Sequence, residues 1–221
     1  MLSRILSFVI GYFVGALLQT GYWYGRMNHI DIRNYGSGNA GTTNVMRTLG
    51  KKAGLITYFV DALKAVLSAV IIHFLVFPSS SQPEMLLFLY SGFGVVIGHN
   101  FPFYLGFKGG KGIAASSGVV LSLFLFPKYC FVLSILGVST FGITTAVSKY
   151  VSMGSLVFIG MFFIEFLIYG FAGWLPLEGA YLYEAYILVF LITALAFIRH
   201  RANIKRLING NERKIGQKKT A

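Results

Sequence analysis

Seven apolar runs alternate with short polar segments, at about residues 5–24, 55–77, 85–97, 113–126, 129–147, 153–171 and 180–198. Most approach the roughly 20 apolar residues that a bilayer-crossing helix needs. The third and fourth are shorter. At membrane depth, irregular backbone is tolerated only where protein covers it or a wet cavity faces it. The pattern predicts an all-α polytopic membrane protein with about seven transmembrane helices, some short, as one domain over residues 1–221. In the first run Gly11 and Gly15 lie four apart, as do Gly21 and Gly25, a spacing that lets helices pack closely. Arg4 precedes this run, but no convincing small-residue cleavage site follows, so it reads as a retained span. Tyr22, Trp23 and Tyr24 fit an interfacial aromatic belt.

Composition agrees with the pattern. Of 221 residues 56% are hydrophobic and 12% charged, with a mean hydropathy of +0.70. A soluble domain would carry about 25% charged residues. The net charge of +12 would point to nucleic acid in a soluble chain. Here its distribution gives a different answer. Arg26, Arg33, Arg47, Lys51 and Lys52 follow the first run, Lys108 and Lys111 the third and Lys149 the fifth, and eight Lys/Arg fill the tail. Arg4 and Lys128 fall on the other side. The asymmetry predicts an N-terminus outside and a C-terminus in the cytoplasm, with no nucleic-acid partner. The polar segments and the tail then share one cytoplasmic face.

Two of these segments are rich in glycine. Residues 36–47 read Gly-Ser-Gly-Asn-Ala-Gly-Thr-Thr-Asn-Val-Met-Arg. Ser37, Asn39, Thr42, Thr43 and Asn44 suit hydroxyl or phosphate oxygens, and Arg47 can grip phosphate with two parallel bonds. Equally, the stretch fits a capped turn that leads into a helix. Residues 98–112 end Lys108-Gly109-Gly110-Lys111-Gly112 just before an apolar run. Glycine lets backbone approach a ligand, and a helix N-terminus favours anions. The spacing is not that of a P-loop, and a basic turn at the lipid surface would look the same. In the tail, a continued seventh helix would cluster Arg199, His200, Asn203 and Arg206 on one face, as would a polybasic stripe that holds anionic lipid.

Asp61 and Lys64 lie three apart inside the second run, as a structural ion pair or as an anchor for the first motif. His73 has no evident partner. Cys130 lies in an apolar run and is the single cysteine, so no internal disulfide forms. No Cys/His metal cluster is present, and no His stands before an Asp at the spacing of a His–Asp acyltransferase. No metal or organic cofactor is expected.

The three stretches 36–47, 98–112 and 200–214, with Asp61-Ala62-Leu63-Lys64 and Lys149-Tyr150-Val151-Ser152, resemble the bacterial membrane glycerol-3-phosphate acyltransferases that use acyl phosphate, the PlsY family. The similarity runs in order over nearly the whole chain. It departs at Thr42, Ala65 and Lys149, where the family commonly has Ala, Gly and Arg. The resemblance implies acyl transfer from acyl phosphate to sn-glycerol 3-phosphate. The products would be lysophosphatidic acid and inorganic phosphate, made by a functional monomer in the bacterial cytoplasmic membrane with its site facing the cytoplasm. It implies catalytic roles for Ser37, Arg47, Lys111, His200 and Asn203. Asn39, Thr43, Asn44, Lys108, Gly109, Gly110, Gly112 and Ser152 would bind substrate. Gly109, Gly110 and Gly112 would turn N–H groups to the acyl phosphate, and either His200 or a substrate phosphate would serve as base.

The competing reading is an anion transporter with broken helices aimed at its cargo. It predicts polar sites near the midplane and internal repeats, and no clear repeat is present. A lipid-binding scaffold would leave both polar motifs unexplained.

Overall fold

The computed structural model describes residues 1–77, 80–127 and 129–217. Pro78 and Ser79, and Lys128, Lys218 and Lys219 of the charge pattern, lie outside the described residues. The described chain is helical without strands: α1 (Leu2–Leu17), α2 (Thr20–Met27), α3 (Thr42–Leu49), α4 (Lys51–Leu75), α5 (Glu84–Asn100), α6 (Ile113–Leu121), α7 (Phe131–Ser148), α8 (Val151–Phe171), α9 (Gly179–Arg199) and α10 (Arg201–Ile208). Among the described residues six helical segments are long and apolar enough to cross a membrane, and Ile113–Leu125 is a shorter seventh. The apolar pattern thus located each membrane segment.

The glycine spacing acts as expected in α1. A Cβ on Gly11 would sit 2.0 Å from the Ser91 carbonyl oxygen, and one on Gly15 would sit 2.1 Å from that of Val95. Gly94 and Gly98 of α5 press against the Phe8 and Tyr12 carbonyls in the same way. Bare backbone on both sides locks α1 to α5. Gly98, His99 and Asn100 are therefore the last turn of α5, not loop.

The first run is not one helix. It breaks at Leu18 and Gln19 without a proline. Polar side chains from elsewhere take up the freed carbonyls. Lys64 Nζ, from α4, donates to Gly15 O at 3.3 Å and Leu18 O at 3.0 Å. Gln19 Nε2 donates to Gly15 O and His99 O, both at 3.1 Å. The Asp61–Lys64 pair, expected on one face, is present at 3.1 Å and fully buried. It anchors this break and α5, since Asp61 Oδ1 also accepts from Thr20 at 3.2 Å. His73 does have a partner, because its Nδ1 lies 2.5 Å from Glu84 Oε1.

α6 determines where the site lies. Its nine α-helical residues and the four 3-10 residues after them reach about 21 Å. The hydrocarbon layer is roughly 30 Å thick. This segment is therefore too short to cross that layer by itself. The segment around α3 is also anchored: Ile32, Ala40, Val45 and Ala53 form a small core of their own under α2 and α4.

Candidate active site

One cavity of about 1220 Å³, counting its open mouth, takes side chains from both glycine-rich segments, the start of α8 and the tail. Its polar wall holds Ser37, Asn39, Thr43, Asn44 and Arg47 with Lys111 and Gly112, and then Ser152, His200 and Asn203. Residues more than 160 positions apart in sequence, such as Ser37 and Asn203, thus meet. Three helices, α3, α6 and α8, begin at this cavity, because Thr42, Thr43, Ile113, Ala114, Val151 and Ser152 all line it. Helix N-termini carry unpaired N–H groups and partial positive charge, and here three converge.

The first motif serves as both loop and cap. Gly36 and Gly38 take positive φ of 60° and 71°, conformations that suit glycine. Asn44 is committed to this loop. Its Oδ1 accepts Ser37 N–H at 2.8 Å, and its Nδ2 donates to Ile32 O at 3.2 Å and Tyr35 O at 2.9 Å. Its amide shapes the cradle and has little left for a ligand. Asn39 Oδ1 accepts Gly41 N–H at 2.9 Å, and Nδ2 reaches Gly109 O at 3.5 Å, joining the two motifs. Thr42 Oγ1 and Ser152 Oγ are buried with no partner. Arg47 lines the cavity with its side chain still exposed, and it makes no hydrogen bond or ion pair among the described residues. Burial, and then the Arg213 and Arg206 charges, hold its guanidinium below its usual range against the opposing pull of Glu212.

The second motif corrects two expectations. Gly109 N–H already donates to Asn100 O at 3.1 Å, and Gly110 N–H to His99 O at 3.0 Å. Neither is free to face a ligand. These glycines exist for close packing, since a Cβ on Gly110 would sit 1.9 Å from His99 Nε2. Gly112, at φ 86°, turns the chain into α6 and lines the cavity. Lys108 is exposed and stands outside the lining. Lys111 points inward, and its Nζ donates to Asn203 Oδ1. Burial pushes its ammonium down to about 8. Arg206, Arg199 and Arg47 push the same way, partly opposed by Glu212.

The tail does not continue α9 as one helix. The chain turns at His200, where Ala196 O accepts both the backbone N–H at 3.0 Å and Nδ1 at 2.7 Å. A carbonyl only accepts, so Nδ1 carries the proton and Nε2 presents a lone pair. Burial first, and then Lys111, push the imidazole down to about 4. Arg199 leaves the expected cluster. It binds Gly110 O at 2.9 Å and stacks over Phe101 at 5.2 Å, fixing the second motif from behind. Glu212, unassigned in the sequence reading, accepts Asn203 Nδ2 at 3.0 Å and Arg206 Nε at 2.7 Å, and so aims Asn203 at Lys111. Asp61 and His99, neither assigned to the site from sequence, also reach the cavity wall.

From this polar end an apolar arm runs between helices, past Tyr58, Val120, Leu121, Val138, Phe141 and Phe158. Gly137 sits in this arm. The site can hold phosphate groups at one end and a hydrocarbon chain at the other.

Comparison with known proteins gives a consistent picture. The family described as glycerol-3-phosphate acyltransferase matches residues 5–210. A glycerol-3-phosphate acyltransferase of Clostridioides difficile (strain 630) is 40% identical over 224 residues, covering 98% of each chain. One from Thermoanaerobacter sp. (strain X514) is 37% identical over 220 residues, covering 99% of this chain and 96% of its own. The crystal structure of PlsY (YgiH), an integral membrane glycerol 3-phosphate acyltransferase, superposes in its glycerol 3-phosphate form with a TM-score of 0.74 at 29% identity, covering 97% of this chain and 94% of its own. Its lysophosphatidic acid form gives a TM-score of 0.75 at 29% identity, covering 97% and 96%.

Proposed function

The chain belongs to the glycerol-3-phosphate acyltransferase family of PlsY, and on that footing we propose that it moves an acyl group from acyl phosphate to sn-glycerol 3-phosphate. It is an integral membrane, multi-pass acyltransferase that acts on glycerol 3-phosphate. The finer assignment makes acyl phosphate the donor, and lysophosphatidic acid and inorganic phosphate the products. The protein works as a monomer of one domain, with its site on the cytoplasmic face of the bacterial inner membrane. One observation carries this reading: the cavity joins a cluster of cations, Arg47, Lys111 and Arg206, with Arg47 unpaired, to an apolar arm. Two anions, one with a lipid tail, match that shape.

The geometry supports the following roles. Arg47 and Asn203 hold the phosphate and hydroxyls of glycerol 3-phosphate, with Ser37, Asn39 and Thr43 completing the cradle. The N-terminus of α6 at Gly112 and the free Ser152 hydroxyl face the acyl phosphate. Asn44, Gly109 and Gly110 serve by shaping the loops, and Lys108 by adding surface charge. His200 accepts a hydrogen bond from the attacking hydroxyl at Nε2. An imidazole near 4 is a weak base, so it orients that hydroxyl and does not take its proton. The hydroxyl oxygen bonds to the acyl carbon, the carbon–oxygen bond to phosphate breaks, and the departing phosphate takes the proton. Lys111 neutralises the charge that collects on that phosphate.

The deciding experiment offers purified protein labelled glycerol 3-phosphate with acyl phosphate, acyl-CoA or acyl carrier protein thioester in turn. Lysophosphatidic acid from acyl phosphate alone is expected. Product only from a thioester would refute the donor assignment.

The pH profile gives a second check. Lys111 carries its charge below about 8 and loses it above. The profile of kcat/KM, which reports the free enzyme, is therefore expected to fall as pH rises through about 8. Bound phosphate would cancel the neighbouring cations, so the limb in kcat should lie higher. His200 stays neutral down to about 4, so no limb between pH 6 and 7 should disappear in His200→Ala.

The arm makes a prediction about chain length. A Cβ on Gly137 would sit 2.9 Å from the Phe158 ring and 3.2 Å from Val120, so both side chains would have to give way. Gly137→Ala is therefore expected to narrow the arm and favour shorter acyl chains. One methylene of fit is worth about 10-fold or more in kcat/KM. Assays with acyl phosphates of graded length would show it as a shifted optimum. An unchanged optimum would place the chain elsewhere.

A further inference from the structure

The cavity wall holds one more polar group whose state its neighbours dictate. His99 closes α5, is 2% exposed and lines the cavity. Its Nδ1 lies 2.7 Å from Lys64 Nζ and 3.7 Å from Asp61 Oδ1. Lys64 is itself enclosed, facing Asp61 Oδ1 at 3.1 Å and the Gly15 and Leu18 carbonyls. An ammonium has only protons to offer, so Nδ1 must meet it with a lone pair. The ring proton is then on Nε2.

Nε2 has no hydrogen-bond partner among the described residues. It lies against Gly110, where any larger residue would collide with it. Gly110 adjoins Lys111, Gly112 and the start of α6. The buried Lys64–Asp61 pair keeps that donor in place.

We propose that His99 donates from Nε2 to a phosphate oxygen of the acyl donor, and that Lys64, backed by Asp61, is the positioning residue that keeps His99 a donor. This rests on the reading that the donor is acyl phosphate. The donor's phosphate is chosen because His99 lies against Gly110, next to Lys111 and the start of α6, where the acyl phosphate is assigned.

Two substitutions separate the two ring nitrogens. His99→Asn keeps an acceptor near the place of Nδ1, within reach of Lys64, and loses the donor. His99→Gln puts an amide N–H near the place of Nε2. With saturating glycerol 3-phosphate, His99→Asn is expected to raise KM for acyl phosphate and Ki for inorganic phosphate by about 10-fold or more. KM for glycerol 3-phosphate should change little, and His99→Gln should recover most of the loss. Equal losses in both variants would reduce His99 to packing and overturn the proposal, as would a loss confined to glycerol 3-phosphate.

A measurement on the native chain removes any dependence on folding of the variants. Nitrogen NMR of histidine-labelled protein is expected to show a proton on Nε2 of His99, with a signal that moves as inorganic phosphate is added. No response, with acyl phosphate turnover intact, would overturn the role of His99 alone. Turnover with thioester only would overturn the donor reading, and this assignment would fall with it.

Discussion

Lys111→Ala is expected to lower kcat by about 10²- to 10³-fold, the usual loss when one preorganised group is removed from developing charge. The cavity gives the reason. Lys111 is drawn inward by Asn203 and held among Arg206, Arg199 and Arg47. Cations this close repel one another, and that repulsion is relieved most when negative charge is greatest. Acyl phosphate already carries charge in the ground state, and more collects on the phosphate as its bond to carbon breaks. The contribution of Lys111 therefore grows toward the transition state, and the loss should appear in kcat more than in KM. Stability provides the control. Removing Lys111 leaves Asn203 Oδ1 unpaired but also relieves repulsion, so thermal stability should shift by no more than about 1 kcal/mol. Lys111→Arg keeps the charge, yet a planar fork does not fit the place of a point charge, so partial activity is expected. Near-normal turnover of Lys111→Ala would rule out the electrostatic role.

The contrast between Lys111 and its glycine neighbours shows what a sequence carries. Lys111 was legible because a cation beside a helix start needs nothing distant to explain it. Gly109 and Gly110 look the same in sequence, yet their N–H groups turn back to Asn100 and His99. Whether a glycine frees an N–H group or hides it depends on what packs against it. The seven apolar runs were legible because lipid imposes length and hydropathy locally. The break at Leu18 and Gln19 was not, because it carries no proline and is held by Lys64 some 46 positions away. Glu212 was hidden for a similar reason. A lone carboxylate in a basic tail reads as solvated, and only the turn after α10, at Asn209 and Gly210, folds it back onto Asn203. The sequence therefore displayed the groups that line the cavity more clearly than the groups that aim them.

The aiming groups carry the second large effect. Asp61→Leu is expected to destabilise the fold by about 3–5 kcal/mol, the usual cost of stranding one partner of a buried ion pair. Both side chains are almost fully buried, at 0% and 1% exposure for Lys64 and Asp61, so neither water nor salt screens the remaining charge. Lys64 would keep the Gly15 and Leu18 carbonyls but lose its counter-charge. The double variant Asp61→Leu, Lys64→Met removes both charges and should recover much of the loss. Recovery should be incomplete, since the Leu18 carbonyl at the helix break loses its donor at about 1–3 kcal/mol, while Gly15 O keeps Gln19. Reversible unfolding in detergent, followed for both single variants and the double, gives the coupling directly. A coupling of at least 2 kcal/mol is expected. Additive losses would mean that the break between α1 and α2 holds itself without the pair. In that case Lys64 would also lose the rigidity that fixes His99, because the same ammonium closes the break and sets that ring.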